Sequence, residues 1–277
     1  MNDTRYSRPS LLPPGIKNLL IINGIVFLAT IMFKNKIDLD HLLGMFYWTS
    51  PYFHWWQPLT HMFMHANFEH ILLNMYALWM FGTMIENLWG TKRFLFFYFV
   101  CGFGAIACQM LSTGYELHQL QHMSAQFALT PTPEGLKNIY DHFAFLIDES
   151  SAAEAYQAIM KQLFTHPHDA DAINGANQIL SGLQQLYRDV PTVGASGAVM
   201  GVLLAFGMLF PNTSLYLMFV PIPIKAKYFV AGYALFELYA GFSHTESNVA
   251  HFAHLGGMLF GLILILYWNK TKRNSFY

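Results

Sequence analysis

The chain has 277 residues, of which 54% are hydrophobic, 17% aromatic and only 11% charged. Soluble domains carry about 25% charged residues, so this composition argues against a soluble enzyme, and a disordered chain would need the opposite balance. The formal net charge is −1, which leaves no basic footprint for nucleic acid.

Crossing a hydrocarbon layer of about 30 Å takes about 20 residues of helix, and six stretches approach that length. A polar segment, 1–15, contains prolines and precedes the first stretch, 16–33. No small-residue cleavage site follows, so this stretch is read as a span and not as a signal peptide. Residues 34–68 hold Tyr52, Phe53, Trp55 and Trp56. Aromatic rings favour the membrane–water interface, so we expect a partly embedded outer loop. The second and third stretches are 69–88 and 94–111, within a first membrane unit of 16–112. Cys101 and Cys108 lie seven apart in the third, roughly 10 Å along a helix, too far for a disulfide.

Residues 113–191 are polar, with nine acidic groups against three basic ones. Within them 150–164 and 170–187 have helix-forming composition with apolar residues at three- and four-residue spacing. Pro131, Pro133 and Pro167 punctuate the segment. A helical outer insertion is expected. The remaining stretches are 196–210, 228–242 and 249–268, within a second membrane unit of 192–268, and a tail covers 269–277.

Basic residues gather on the cytoplasmic side of membrane proteins. With both ends inside, the inner segments and adjoining helix ends hold Arg5, Arg8, Lys17, Lys92, Arg93, Lys225, Lys227, Lys270, Lys272 and Arg273, ten of the fifteen. Lys34 and Lys36 fall outside and oppose this orientation.

Polar groups inside a membrane are costly, which makes them functional candidates. Ser196, in Gly194-Ala195-Ser196-Gly197, opens the fourth stretch, although a small-Ser-Gly sequence there often serves only capping or packing. His254 lies near the start of the sixth. Gly197 and Gly201 form G-x-x-x-G on one helix, and Gly257 and Gly261 form it on the other. Such pairs let membrane helices approach closely, as a serine–histidine hydrogen bond requires. His70 and Asn74 share one face near the start of the second stretch. Each offers an N–H donor of the kind that forms an oxyanion hole, or else a plain interhelical hydrogen bond. All three sets fall at outer helix ends, where water can reach them. No acidic residue stands out to orient His254, so a Ser–His dyad is expected.

These motifs, GASG at 194–197, AHLGGMLFG at 253–261, HMFMHANFEHILLN at 61–74 and Glu86-x-x-x-Gly90, resemble those of rhomboid intramembrane serine proteases. The resemblance covers about 16–112 and 192–268. It implies an all-α membrane protein, a six-transmembrane-helix bundle carrying a helical extracytoplasmic insertion between helices 3 and 4. It further implies Ser196 as nucleophile and His254 as general base and acid. The oxyanion hole would be formed by His70, Asn74 and the Ser196 backbone N–H. The partners it implies are membrane-protein substrates cut in their transmembrane segments and the lipid bilayer, with neither metal nor cofactor. We place the chain in a bacterial cytoplasmic membrane, with the site facing the extracytoplasmic side.

The chain departs from the family pattern in three places. Gln57 follows Trp56 where an arginine is common. Met200 stands where an aromatic usually packs on the histidine. The 113–191 segment is absent from minimal members. Other polar residues have blander readings. His61 and His65 brace the loop in preference to binding metal with His70. His251 is the rival base. Glu237 hydrogen-bonds a neighbouring helix, with a proton relay as the lesser reading. His118, His122, His142, His166 and His168 are solvated. The competing functions are a non-catalytic relative that binds transmembrane clients and a proton-coupled transporter. Inactive relatives typically lose the serine or histidine, or place a proline beside the serine; here both remain and Ala195 precedes Ser196.

Overall fold

The computed structural model describes residues 9–143, 151–217, 220–243 and 250–271. Arg5, Arg8, Lys272 and Arg273, which carry part of the orientation argument, lie outside the described residues, as does Val249 at the expected start of the last span.

Helix α1 (Pro14–Phe33) has proline in its first turn, where a backbone N–H would have no helical partner. The N–H groups of Gly15 and Ile16 donate to the two carboxylate oxygens of Glu86, both at 2.7 Å. A negative group suits a helix N-terminus, and this placement makes a buried glutamate tolerable. Two short helices, α2 (Leu39–Leu43) and α3 (Gln57–Thr60), and a 3₁₀ turn (His61–Phe63) form the outer loop. Glu86 belongs to α4 (Phe68–Trp89), whose first turn is capped by the Asn67 side chain accepting from the His70 N–H. Gly90 ends α4 at φ +78°, a conformation that favours glycine.

Helix α5 (Thr91–Leu129) has 39 residues, about 58 Å of helix and nearly twice the hydrocarbon thickness. The expected boundary near residue 112 marks only where apolar composition ends; the backbone helix continues through it. Helices α6 (Pro133–Phe143), α7 (Ser151–Thr165) and α8 (Ala170–Arg188) pack on this extension. They share a separate core that includes Leu120, Phe127, Leu136, Phe143, Leu163 and Leu180. Helix α6 was not expected from sequence. Asp169 caps α8, accepting from the Asp171 and Ala172 N–H groups at 2.9 and 3.0 Å. These bonds, that from Ala172 foremost, hold its carboxyl below the usual carboxylate range.

The remaining elements are α9 (Ser196–Leu209), strands β1 (Ser214–Leu217) and β2 (Val220–Lys225), α10 (Ala226–Ser243) and α11 (His251–Thr271). The hairpin departs from the all-α expectation. It is antiparallel, with Ser214 opposite Lys225 and Leu215 opposite Ile224. Pro221 and Pro223 alternate along β2, where each lacks an N–H; such residues belong on a sheet edge.

Among the described residues, three helices are long and apolar enough to cross a membrane by themselves: α1, α5 and α11. Helix α9 is apolar but has 14 residues. Helices α4 and α10 have 22 and 18 residues, with charged or polar groups such as Glu69, Glu86 and Glu237 diluting their hydropathy. Outward-facing Ile25, Leu28, Leu235, Tyr239, Ile263 and Leu266 are exposed, as lipid contact requires.

Helix α9 lies at the centre, with no exposed residue along its length. Glycines bring it against α11. A methyl at Gly257 would overlap the Gly197 carbonyl, and one at Gly261 would lie 3.4 Å from the Gly201 Cα. The two helices therefore meet backbone to backbone.

Candidate active site

Helix α9 is about 21 Å long, shorter than an apolar layer of about 30 Å. One of its ends therefore starts inside that layer. The chain leading into it needs its backbone groups satisfied by protein, and the outer loop does this. Met45 and Thr192 exchange N–H···O bonds of 2.9 and 2.8 Å, and the Gly194 N–H donates to the His61 carbonyl at 2.9 Å.

Gln57 organises that loop and is fully buried. Its Oε1 accepts from the N–H groups of His54 and Phe46, at 3.0 and 3.4 Å. Its Nε2 donates to the carbonyls of Tyr52 and His41, at 2.8 and 3.4 Å. A neutral amide thus holds four backbone groups where an arginine is common in the family pattern. The His61 Nδ1 donates to the Gln57 carbonyl at 2.9 Å. His65 packs edge-on against His70, ring centroids 5.1 Å apart. Burial brings both His61 and His65 down from the ordinary 6.5 to about 4, so both are neutral at pH 7. His61, His65 and His70 form no metal-binding cluster among the described residues.

At the start of α9 the Ser196 Oγ lies 2.8 Å from His254 Nε2. His254 stands in the first turn of α11 and is 8% exposed. The glycine contacts between α9 and α11 set this distance. The rival, His251, bonds Glu237 instead, with its Nδ1 2.6 Å from Oε2.

The expectation that no acid orients His254 is corrected by this geometry. The His254 Nδ1 lies 3.0 Å from Glu237 Oε1, and Glu237 is 1% exposed. Seventeen residues separate the pair in sequence, which hid it. Helix periodicity links residues three or four apart, whereas this contact crosses a helical hairpin. Glu237 lies six residues before the end of α10 and His254 three after the start of α11. Antiparallel helices bring residues at similar distances from their connection to similar depth, and that signal was present in the sequence.

His70 and Asn74 face the same space. The Asn74 Nδ2 donates one hydrogen to the His70 carbonyl at 2.9 Å and keeps a second. The Ala66 N–H approaches His70 Nδ1 at 3.4 Å, which favours the tautomer carrying its proton on Nε2. Gly194, at φ +131°, marks the gap between these groups. A Cβ there would lie 3.0 Å from His70 Nε2 and 3.4 Å from Ser196 Oγ. An anionic oxygen beside Ser196 would occupy similar space.

The ligand atoms of Glu237, His251 and His254 lie within 4.8 Å of one another, a spacing a divalent cation accepts. The carboxylate is already bonded to both rings, so the set is satisfied as it stands. In the outer segment, His142 is not purely solvated: its Nε2 lies 3.6 Å from Glu116 Oε2.

A cavity of about 1300 Å³ opens onto these groups. His70, Asn74, Ser196 and His254 line one end. Met80, Leu203, Phe229 and Tyr233 line its apolar length between α4, α9 and α10, and Met200 lies among them. Glu116, Tyr187 and Val190 form part of its outer wall.

A model of the rhomboid domain matches residues 52–119 and 156–270. The chain is 27% identical over 234 residues to an uncharacterized mitochondrial rhomboid protein of Schizosaccharomyces pombe, covering 80% of this chain and 53% of that protein. It is 24% identical over 264 residues to the mitochondrial RHOMBOID-like protein 12 of Arabidopsis thaliana, covering 94% and 59%. Over 59 residues it is 39% identical to the rhomboid protease GluP of Bacillus subtilis, covering 21% and 12%. The chain thus spans little more than half the length of the two mitochondrial proteins. Their location runs against the expected bacterial membrane and leaves the membrane placement itself unaffected.

Proposed function

Because the chain belongs to the rhomboid family, we propose that it is an intramembrane serine endopeptidase that cleaves transmembrane segments of other membrane proteins. The observation that carries this reading is the 2.8 Å contact between Ser196 Oγ and His254 Nε2 in a membrane-embedded cavity. Helices α1, α4, α5, α9, α10 and α11 are the six spans. The site opens on the side opposite the basic loops, where the 113–191 segment also stands.

His254 takes the Ser196 proton as Oγ attacks the scissile carbonyl, and the same proton passes to the leaving amine. The carbonyl oxygen becomes an anion in the gap beside Gly194. His70 Nε2–H, the second Asn74 amide hydrogen and the Ser196 N–H stabilise it there. Water then attacks the acyl-enzyme, again with His254 as base. A substrate helix lies along the apolar cavity between α4 and α10 and unwinds near Ser196, since a helical carbonyl is hydrogen-bonded and shielded. The reading calls for no cofactor.

Labelling with a fluorescent fluorophosphonate in detergent tests it. The wild type labels, and Ser196→Ala and His254→Ala do not. Labelling that survives in Ser196→Ala overturns the assignment.

A further inference from the structure

A buried carboxylate in a membrane helix is expensive unless something requires it. Glu237 is 1% exposed, and each of its oxygens meets a different imidazole of α11. Oε1 lies 3.0 Å from His254 Nδ1 and Oε2 lies 2.6 Å from His251 Nδ1. The two histidines are three residues apart, so they share one helix face. With both oxygens engaged, the carboxylate cannot rotate about its last bond without losing a partner.

An ionised carboxylate only accepts hydrogen bonds. Both neutral rings must therefore carry their proton on Nδ1. For His254 this leaves Nε2 as an acceptor, directed at the Ser196 hydroxyl 2.8 Å away. The alternative tautomer, protonated on Nε2, has no lone pair there to take the serine proton. His251 contributes differently. Its Nε2 is buried and has no hydrogen-bond partner among the described residues, so its polar contact is with Glu237. It acts as the second anchor of the carboxylate.

We propose that Glu237 is a positioning residue that turns the Ser196–His254 pair into a Ser–His–Glu relay, with His251 pinning the carboxylate in place. It fixes the His254 tautomer and offsets the positive charge that ring acquires when it takes the serine proton. The inference rests on the serine-hydrolase reading above. A purely structural Glu237 would only tie α10 to α11.

The test follows the rate of labelling by a fluorescent fluorophosphonate as a function of its concentration, in folded, monodisperse protein. This separates the maximal labelling rate from the half-saturating concentration. Glu237→Gln keeps the shape but lacks the charge and presents a donor to one ring. The maximal rate is expected to fall about 100-fold or more, with the half-saturating concentration within about twofold of wild type. Removing a buried charge risks unfolding the helix pair, so His251→Gln carries the same test with Glu237 retained. It is expected to lower the maximal rate about tenfold, again without affecting half-saturation. An unchanged maximal rate in either folded variant overturns the proposal. If Ser196→Ala loses labelling while Glu237→Gln labels at full rate, the relay alone fails; if Ser196→Ala still labels, the serine-hydrolase reading fails with it.

Discussion

Gly194 is the smallest residue at the site and among the most constrained. Its φ of +131° is one that residues with a side chain rarely adopt. Its missing Cβ leaves open the space between the His70 ring and the Ser196 Oγ. Gly194→Ala should lower the labelling rate by about 100- to 1000-fold, the cost of losing an oxyanion donor or its space, while Ser196 and His254 stay intact. A labelling rate within tenfold of wild type would place the oxyanion elsewhere. The sequence marked Ser196 as a candidate only in conjunction with His254, His70 and Asn74, since Gly194-Ala195-Ser196-Gly197 alone also suits capping or packing, and it did not show the Gly194 conformation. Gln57 was not marked as a candidate. As a letter it marked only a missing arginine, and its four backbone partners come from positions scattered over residues 41–54, a pattern no local spacing encodes.

Helices α9 and α11 show why the serine and histidine meet. Gly197, Gly201, Gly257 and Gly261 were readable as two G-x-x-x-G pairs, and they do bring the two helices together. Gly257→Ala should separate them, since the added methyl overlaps the Gly197 carbonyl. The expected result is a lower melting temperature together with at least a tenfold slower labelling rate, the scale on which overpacking costs about 1–3 kcal/mol. Unchanged melting would mean the helices do not touch at that point. The outer loop makes a different prediction. In the fold His61 and His65 titrate at about 4 instead of the ordinary 6.5. Between those values the unfolded chain binds more protons than the folded one, so stability rises with pH across the window and is lost as pH falls from about 6.5 to about 4. Because His61 also accepts from the Gly194 N–H, this loss reaches the segment before Ser196. The melting temperature of the Ser196→Ala protein in detergent, measured from pH 7 to pH 4.5, checks it. A flat profile would mean the two rings are hydrated.

Among the described residues the buried side chains form three clusters, two large and one small. The membrane core surrounds α9. The second core, built from the end of α5 with α6, α7 and α8, stands beyond the apolar part of α5, and the small third one, of Met45, Tyr47, Ile106, Met110 and Leu117, takes in Tyr187, which with Glu116 lines the cavity. Phe143 is fully buried in that second core, and Phe143→Ala should cost about 3–5 kcal/mol there. The expected outcome is loss of a separate unfolding transition in calorimetry, with fluorophosphonate labelling of Ser196 retained. Abolished labelling would show that the two cores fold as one. Sequence composition anticipated two of its helices, α7 and α8, but it could not show that α5 runs unbroken towards them, because hydropathy reports the solvent around a helix and not where its hydrogen bonds end.

The enclosure of α9 has a consequence for how the protein meets different bilayers. None of its residues is exposed, so lipid acyl chains press chiefly on its neighbours. Hydrophobic mismatch is therefore felt mainly by α1, α4, α5, α10 and α11, whose apolar faces are exposed and which answer it by tilting. The Ser196–His254 pair is divided between the two cases: Ser196 rides on a helix largely screened from thickness, His254 on one that senses it. Bilayers that tilt α11 act on its glycine contact with α9, which makes acyl-chain length a handle on the distance between Ser196 and His254.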